Sequence, residues 1–533
     1  MTTKERAVSQ LTSEALPEAT HRGADQLSPS KVRPLEEVAQ CVAGAKAQGK
    51  RVVHCHGVFD LLHPGHIRHL EAAKREGDLL VVTVTQDEYV NKGPGRPAFS
   101  QRLRAESLAA LECVDYVAVN RWPTAVETIR LLRPDVYVKG MEYVQRDQDV
   151  SGKIIEEEQA ILAVGGRVHF THEITFSSSK LLNDHFSVFS PETEAWLRAF
   201  RKRHSAAGIL DCLKRADTLK AVVVGEAILD EYVFCDGLGK STKEPILAFR
   251  YGSTETHAGG SLAVANHLAG FCRDVELVCL LGERDRREEF IRQQLLPNVR
   301  LRAVTRHGAP TIHKRRFVDT HTSGRLFELY LIDDTALQSH EEAALLEVLG
   351  EVIGEADLVV VADYGHGMLT PSAIDRLCHA SRFLTVNTQA NAGNHGFNTI
   401  SRYRRADYVC LAGHEIVLET RMRHGAWRDL ILEVTRRIDC PRFTVTQGSR
   451  GSLHYESGVG FTEAPALATH VTDRVGAGDA VLAVTSLLVA QRAPWDVVGF
   501  IGNVVGAEMV AELGNRISVN RFLVTKHVTS LMK

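Results

Sequence analysis

The chain has 533 residues, 44% of them hydrophobic and 24% charged, with a formal net charge of −3. Single cores rarely grow beyond roughly 250–300 residues, so this length predicts at least two domains. Near-neutrality excludes the global basic field of a nucleic-acid binder and leaves small-molecule chemistry. No run approaches the ~18 apolar residues of a membrane span. The 10 cysteines contain no C-x-x-C pair, which suggests neither a zinc ribbon nor a thioredoxin-like site and reads as reduced thiols of a cytoplasmic protein.

Residues 1–32 mix acids with Ser, Thr and Pro and lack the apolar centre of a signal peptide, which predicts a disordered tail. Residues 33–185 then alternate amphipathic and short apolar runs. A helix, "LEEVAQCVAGAKAQGK", is followed by the strand "RVVHCHGVF", a helix opening at His63, and the strands "DLLVVTVTQD", "VDYVAVN", "DVYVKG" and "RVHF" with helices between them. This is the pattern of βαβ units on a parallel sheet, an α/β, Rossmann-like domain. Residues 186–216, "SPETEAWLRAFRKRHSAAGILDCLKRA" within them, are rich in charge and helix formers and predict a helical connector outside either core. A second α/β domain is expected over 217–533. It opens with "LKAVVVGEAILDEY", read as one buried strand, and continues through "DVELVCLLG", "ADLVVVADYG", "FLTVNTQ", "ADYVCLAG" and "RFTVTQG". The two domains share a class and no repeat.

In and around "HGVFDLLHPGH", His54, His56, His63 and His66 precede His69 within sixteen residues. Zinc is disfavoured, because no H-E-x-x-H or cysteine cluster completes a ligand set. A strand ending in a short turn, with His63-Pro64-Gly65-His66 opening a helix, instead suits a phosphate. Proline fits the first helical turn, glycine admits close approach, and free amides with two imidazoles face developing negative charge. His69 lies a turn further on and reads as structural.

Together with "KGPGRPAFSQRLRAESLAALECVDYV", "LLRPDVYVKGMEY" and "FSSSKLL", this stretch resembles the H-x-G-H nucleotidyltransferase superfamily. In order and spacing it resembles the adenylyltransferase domain of bifunctional ADP-heptose synthases. The resemblance implies transfer of a nucleoside monophosphate to a sugar phosphate with release of pyrophosphate. His63 and His66 would act on the α-phosphate, with Gly57, Phe59, Lys92, Arg96, Lys139, Ser177, Ser178 and Ser179 binding nucleotide and phosphates. Mg²⁺ is implied by the triphosphate. ATP is favoured, and CTP stays open because no residue reads the base.

In "VTDRVGAGDAVLAVTSLL", Gly476-Ala477-Gly478 and Asp479 open an apolar helix. An acid on an amide-rich terminus can deprotonate a hydroxyl while the amides hold the transferring phosphoryl. With "GEAILDEY", "AGGSLAVANHLAGF", "VVADYGHGML" and "VTQGSRGSL", this resembles the ribokinase-like sugar kinases over 217–525. Asp479 would then be the base, Gly476, Ala477 and Gly478 the phosphate turn, Asp230, Gly259 and Gly260 the sugar site, and Glu415 a metal-supporting acid. The departures are Ala263 for the family's Asn, Asn387-Thr388-Gln389 for D-P-K/R, Ala412 for the Asn of N-x-x-E, and Arg474 for Thr. The domain order is also reversed relative to ADP-heptose synthases. Two outcomes remain open: a kinase with altered specificity, or a domain that only binds ligand or supports a homo-oligomer.

Overall fold

A computed structural model describes residues 31–90, 97–140, 153–171, 188–322 and 324–532. Contacts divide the chain into two compact units, the boundary falling between residues 186 and 187. The expected tail lies outside the described residues except for its last two. There Lys31 donates to the Leu111 carbonyl at 2.9 Å and Val32 bridges Val117, so these two belong to the first unit.

The first unit is a five-stranded, all-parallel sheet. Its strands are β1 (Val52–Gly57), β2 (Leu79–Thr85), β3 (Tyr116–Asn120), β4 (Val136–Gly140) and β5 (Arg167–Thr171), in the order β3-β2-β1-β4-β5. Each strand is a short run that carries at least one valine, and alternation divides the sheet between two cores. Val53, Cys55, Leu80 and Val82 pack on one face, and Val52, Val81 and Ala118 on the other. The order reverses at β1, so the carboxyl ends of β1 and β4 flank a crevice of the kind where open α/β sheets bind ligands. The helix Pro64–Arg75 starts at that end of β1.

The second unit is built on a nine-stranded sheet. It contains β6 (Lys220–Gly225), β9 (Asp274–Arg284), β10 (Val299–Pro310), β13 (Leu358–Asp363), β14 (Leu384–Thr388), β15 (Tyr408–Ala412), β16 (Arg442–Thr446), β17 (Ser452–Glu456) and β18 (Gly460–Ala464). A four-stranded sheet holds β7 (Ala227–Lys240), β8 (Leu247–Gly260), β11 (Ile312–Asp319) and β12 (Arg325–Leu331), in the order β12-β11-β7-β8. The large sheet has the order β10-β9-β6-β13-β14-β15-β16-β17-β18 and is parallel until β16. Val223, Leu277 and Val360 face one core, and Val222, Val278 and Val359 the other.

Two expectations change. "LKAVVVGEAILDEY" is two strands, β6 in the large sheet and β7 in the small one, with Glu226 at the crossing. The connector is also part of the second core. Its helices Pro191–Arg203 and Ala206–Lys214 form as expected, but they bury Leu197, Phe200, Ile209 and Leu213 in that unit. Their charges lie on the outer faces, and an amphipathic helix of high charge resembles a linker until its apolar stripe is counted.

Candidate functional sites

In the first unit the chain leaves β1 through Phe59, whose φ of 48° lies in the left-handed region that non-glycine residues rarely adopt. Its ring folds back over Gly57, where an added Cβ would come within 3.0 Å of it, and joins the core. His63 caps the helix Pro64–Arg75, its Nδ1 accepting from the Gly65 amide at 3.1 Å. That bond keeps Nδ1 unprotonated, so in the neutral ring the proton sits on Nε2 and makes it a donor. The His63 and His66 rings stack at 3.9 Å between centroids, and Phe59 meets His66 edge-on at 5.5 Å. The backbone thus brings both predicted imidazoles together on one helical turn at the sheet crevice.

The other histidines are held by threonines. His54 Nε2 lies 2.8 Å from Thr83 Oγ1, His56 Nδ1 lies 3.0 Å from the same oxygen, and His69 Nδ1 lies 2.7 Å from Thr171 Oγ1. Burial pushes His54 down to about 3 and His69 down to about 4, so both are neutral packing groups. Lys139, at the end of β4, forms a buried 2.8 Å ion pair with Glu157, which also accepts from Tyr137 at 3.0 Å. Lys92, Arg96, Ser177, Ser178 and Ser179 lie outside the described residues.

Sequence reasoning missed Arg104. Its guanidinium, 1% exposed, donates to the carbonyls of Val58 (2.5 Å), Thr85 (2.8 Å) and Phe99 (2.9 Å) and pairs with Asp87 at 2.5 Å. Asp60 accepts from the Ala98 and Phe99 amides at 2.7 and 3.2 Å. Together they fasten the turn after β1 to Thr85, Asp87, Ala98 and Phe99. The only sequence signal was an arginine at a helix position facing the core.

In the second unit Asp479 sits on the first turn of the helix Ala477–Ala490, after Gly476 at φ 80°. Tyr364 Oη and Gln389 Nε2 both donate to its Oδ1, at 2.9 and 2.8 Å. Burial, with the charge of Asp230, pushes Asp479 up to about 6 against those two bonds and the charge of Lys314. A carboxylate tuned to that range, with one oxygen tied down, is suited to accept a hydroxyl proton on the other.

Asp230 faces the same basin, bonded by Arg316 at 2.5 Å and by Asn515 Nδ2 at 3.0 Å. Gly259 and Gly260 serve this packing. A Cβ on Gly259 would stand 2.1 Å from Asp230 Oδ2, and Gly260 has φ 58°. Gly476 does the same for Asn515, whose Oδ1 would lie 2.0 Å from an added Cβ, whereas above Gly478 there is open space. Asp473 holds the turn by accepting from the Arg474 and Val475 amides at 2.6 and 3.2 Å.

Glu415 is buried and accepts from the Ala412 and Ala390 amides at 2.7 and 3.3 Å, while burial raises it to about 8. Among the described residues no group of three His, Cys, Asp or Glu could hold a metal ion. Of the departing residues, Ala263 is buried, Arg474 is exposed, Asn387 donates to the Cys410 carbonyl at 2.7 Å, and Gln389 reaches Asp479. Lys314, on β11, is 7% exposed, and Tyr330 and Tyr364 present their rings to its ammonium at 5.3 and 5.8 Å.

A cytidylyltransferase-like family model matches residues 54–182, and the pfkB family carbohydrate kinase model matches residues 218–521. The bifunctional protein HldE of Trichlorobacter lovleyi is 39% identical over 150 residues, 28% of this chain and 28% of that protein. The HldE of Geobacter sulfurreducens is 44% identical over 141 residues, 26% of this chain and 27% of that protein. The alignment therefore spans under a third of these relatives' length and lies in the N-terminal part of this chain. Among solved structures, phosphofructokinase-2 from Escherichia coli in complex with potassium is 16% identical, covers 59% of this chain and 100% of its own, and has a TM-score of 0.48. Arabidopsis thaliana ribokinase complexed with ribose and ATP is 16% identical, covers 59% and 99%, and has a TM-score of 0.43.

Proposed function

The chain belongs to the pfkB family of carbohydrate kinases and carries a nucleotidyltransferase-like domain ahead of it, and from that premise we propose a bifunctional enzyme that makes a nucleotide-activated, ADP-heptose-like sugar. The second unit phosphorylates a sugar from ATP. Asp479 takes the proton of the attacking hydroxyl on Oδ2, the new O–P bond forms as the bond to ADP breaks, and the amides of Gly476 to Gly478 face the transferring phosphoryl. The first unit joins a sugar 1-phosphate to a nucleoside monophosphate, ATP favoured over CTP as donor. A phosphate is already a nucleophile, so this step needs positioning and charge stabilisation rather than a strong base. His63 and His66 supply imidazole donors to the α-phosphate, and Arg104 and Asp60 hold the turn that presents them. Mg²⁺, bound with the triphosphate, supplies charge neutralisation in both steps.

The observation that carries this reading is the position of both reactive sets. His63 and His66 in one unit, and Asp479 in the other, lie at the start of a helix beside glycine-bearing backbone. The test incubates the protein with each of the four nucleoside triphosphates and a panel of sugar 1-phosphates while pyrophosphate is measured. ADP release with unphosphorylated and phosphorylated sugars is followed in parallel. Pyrophosphate from no combination would refute the transferase assignment.

A second reading, transfer activity with a kinase-like unit that only binds ligand, draws support from Ala263, Ala412 and the neutral Gln389. It predicts pyrophosphate without Asp479-dependent ADP. A homo-oligomer is supported by the small sheet, whose Phe317 and Phe327 stack at 4.3 Å beside Leu329, with Phe327 and Leu329 53% and 47% exposed. A cytoplasmic location is supported by the free, mostly buried cysteines and by the absence, among the described residues, of a helix long and apolar enough to cross a membrane.

A further inference from the structure

Three features of the second unit stand outside the roles given so far. One is a cleft lined by Glu226, Arg306, Thr311, Asp333 and His366. Its cations and acids are already bonded among themselves or to backbone, and the two free nitrogens of His366 ask for no more than a water. Another is the exposed apolar face of the small sheet, already used for the oligomer. The third is Lys314.

Buried cations in this unit have ionic partners. Arg316 pairs with Asp230 at 2.5 Å and Glu328 at 3.1 Å, and Arg306 pairs with Asp333 at 3.2 Å. Lys314 is as buried as these, yet among the described residues its ammonium has no hydrogen bond and no ion pair. Asp230, Glu226 and Asp479 are close enough to act on it through space, but each is engaged elsewhere. Asp230 is held by Arg316 and Asn515, Glu226 by the Tyr364 and His366 amides, and Asp479 by Tyr364 and Gln389. An ammonium has three donors and no acceptor. With no protein partner, those donors are left to water or to an anionic ligand entering the basin, and the ligand regains more of the charge's lost solvation. The two tyrosine faces stabilise the charge without using its donors. The position also matters for balance, because the residue beside the base, where the resemblance expects a cation, is the neutral Gln389.

We propose that Lys314 is the anion-binding cation of this site, its ammonium taking the oxygens of a phosphoryl group beside Asp479. The assignment rests on the kinase reading of this unit. The phosphoryl has two sources, the group in transfer or one already on the acceptor. In the first case the ammonium offsets charge on the equatorial oxygens while the O–P bond forms, the bond to ADP breaks and the proton passes to Asp479 Oδ2. In the second it fixes the acceptor.

The test compares wild type with Lys314→Met, which keeps the length and apolar stem and removes the charge, and with Lys314→Arg. Inorganic phosphate should raise the melting temperature of the wild type more than chloride of equal ionic strength does, and Lys314→Met should lose that difference. Without phosphate, Lys314→Met should melt no lower than wild type, because it loses no hydrogen bond or ion pair and the relief of burying a charge offsets the lost tyrosine contacts, and this separates a binding defect from misfolding. A tenfold or greater fall in kcat with unchanged KM identifies the transferring group. A tenfold rise in KM confined to phosphorylated acceptors identifies the acceptor's phosphate. Lys314→Arg should recover part of either effect. A phosphate-dependent shift that survives in Lys314→Met, with kcat and KM within twofold of wild type, overturns the proposal. If wild type phosphorylates no sugar, the kinase reading falls while the phosphate shift still reports on Lys314.

Discussion

Removing one hydroxyl, in Tyr364→Phe, should move the acid limb of the kinase's pH profile without changing its plateau. Tyr364 Oη donates to Asp479 Oδ1 at 2.9 Å, and Gln389 donates to the same oxygen at 2.8 Å. Both bonds favour the ionised carboxylate. A hydrogen bond to a charged group contributes ~1.5–3 kcal/mol. With Gln389 still in place the lower end applies, and ~1.4 kcal/mol corresponds to about one pKa unit. Asp479 stands at about 6, so in the variant it should titrate near 7. A base must be ionised to act, so activity is lost from the acid side. The expected fall in kcat/KM is roughly fivefold at pH 6 and less than about 1.2-fold at pH 8. The assay is coupled ADP release across pH 5 to 9 with the best acceptor from the panel. A limb that stays within about 0.3 unit of wild type, or an equal loss at every pH, would refute the inference that Tyr364 acts on the protonation of Asp479.

Other outcomes follow from the same geometry. His63→Ala and His66→Ala should each lower pyrophosphate release by on the order of 10²–10³, since amides and other cations remain; a loss under twofold removes their assigned role. Asp479→Asn should abolish phosphoryl transfer and stabilise the fold near neutral pH. Its carboxyl is raised from 3.8 to about 6 by burial, so the stability it contributes is present below about pH 4 and lost as pH rises through about 6, ~3 kcal/mol in all. Denaturant titration at pH 4 and pH 8 should therefore show a gain only at pH 8. A fragment starting at residue 188 should fold, whereas one starting at 217 should aggregate. The shorter one lacks Leu197, Phe200, Ile209 and Leu213, each at most 1% exposed, and such side chains contribute ~1.5–3 kcal/mol apiece. A soluble, cooperatively melting fragment from 217 would show that the two helices are dispensable.

Both α/β classes and the reactive helix starts were legible in the sequence, for local reasons. β1 opens on two valines and ends at glycine, and Pro64 and Gly476 mark helix entries by backbone preference alone. What stayed hidden depends on partners far away in the chain. Nothing near Arg104 announces that its donors reach Val58 and Thr85, and nothing near Lys314 announces that it lacks such partners. The split of "LKAVVVGEAILDEY" into β6 and β7 was invisible because both strands are buried on both faces, which erases the alternation that would mark a change of sheet. Gln389 read as a lost charge, but the fold turns it into a donor to Asp479.

The helix Pro191–Arg203 bears on how the protein is made. Trp196 bonds the Glu463 carbonyl 267 residues away, His204 bonds Asp496 292 residues away, and Arg201 bonds the Leu531 carbonyl 330 residues away. Phe200 packs on Phe500 at 4.5 Å. At synthesis rates of ~5–20 residues per second, this helix leaves the ribosome roughly 15–65 s before its final partner exists. The first unit, whose strands pair with near neighbours, can close during that interval. Trp196, Leu197 and Phe200 meanwhile form an uncovered apolar stripe on the nascent chain, a ready handle for a holding chaperone and the point at which two unfinished chains would stick together.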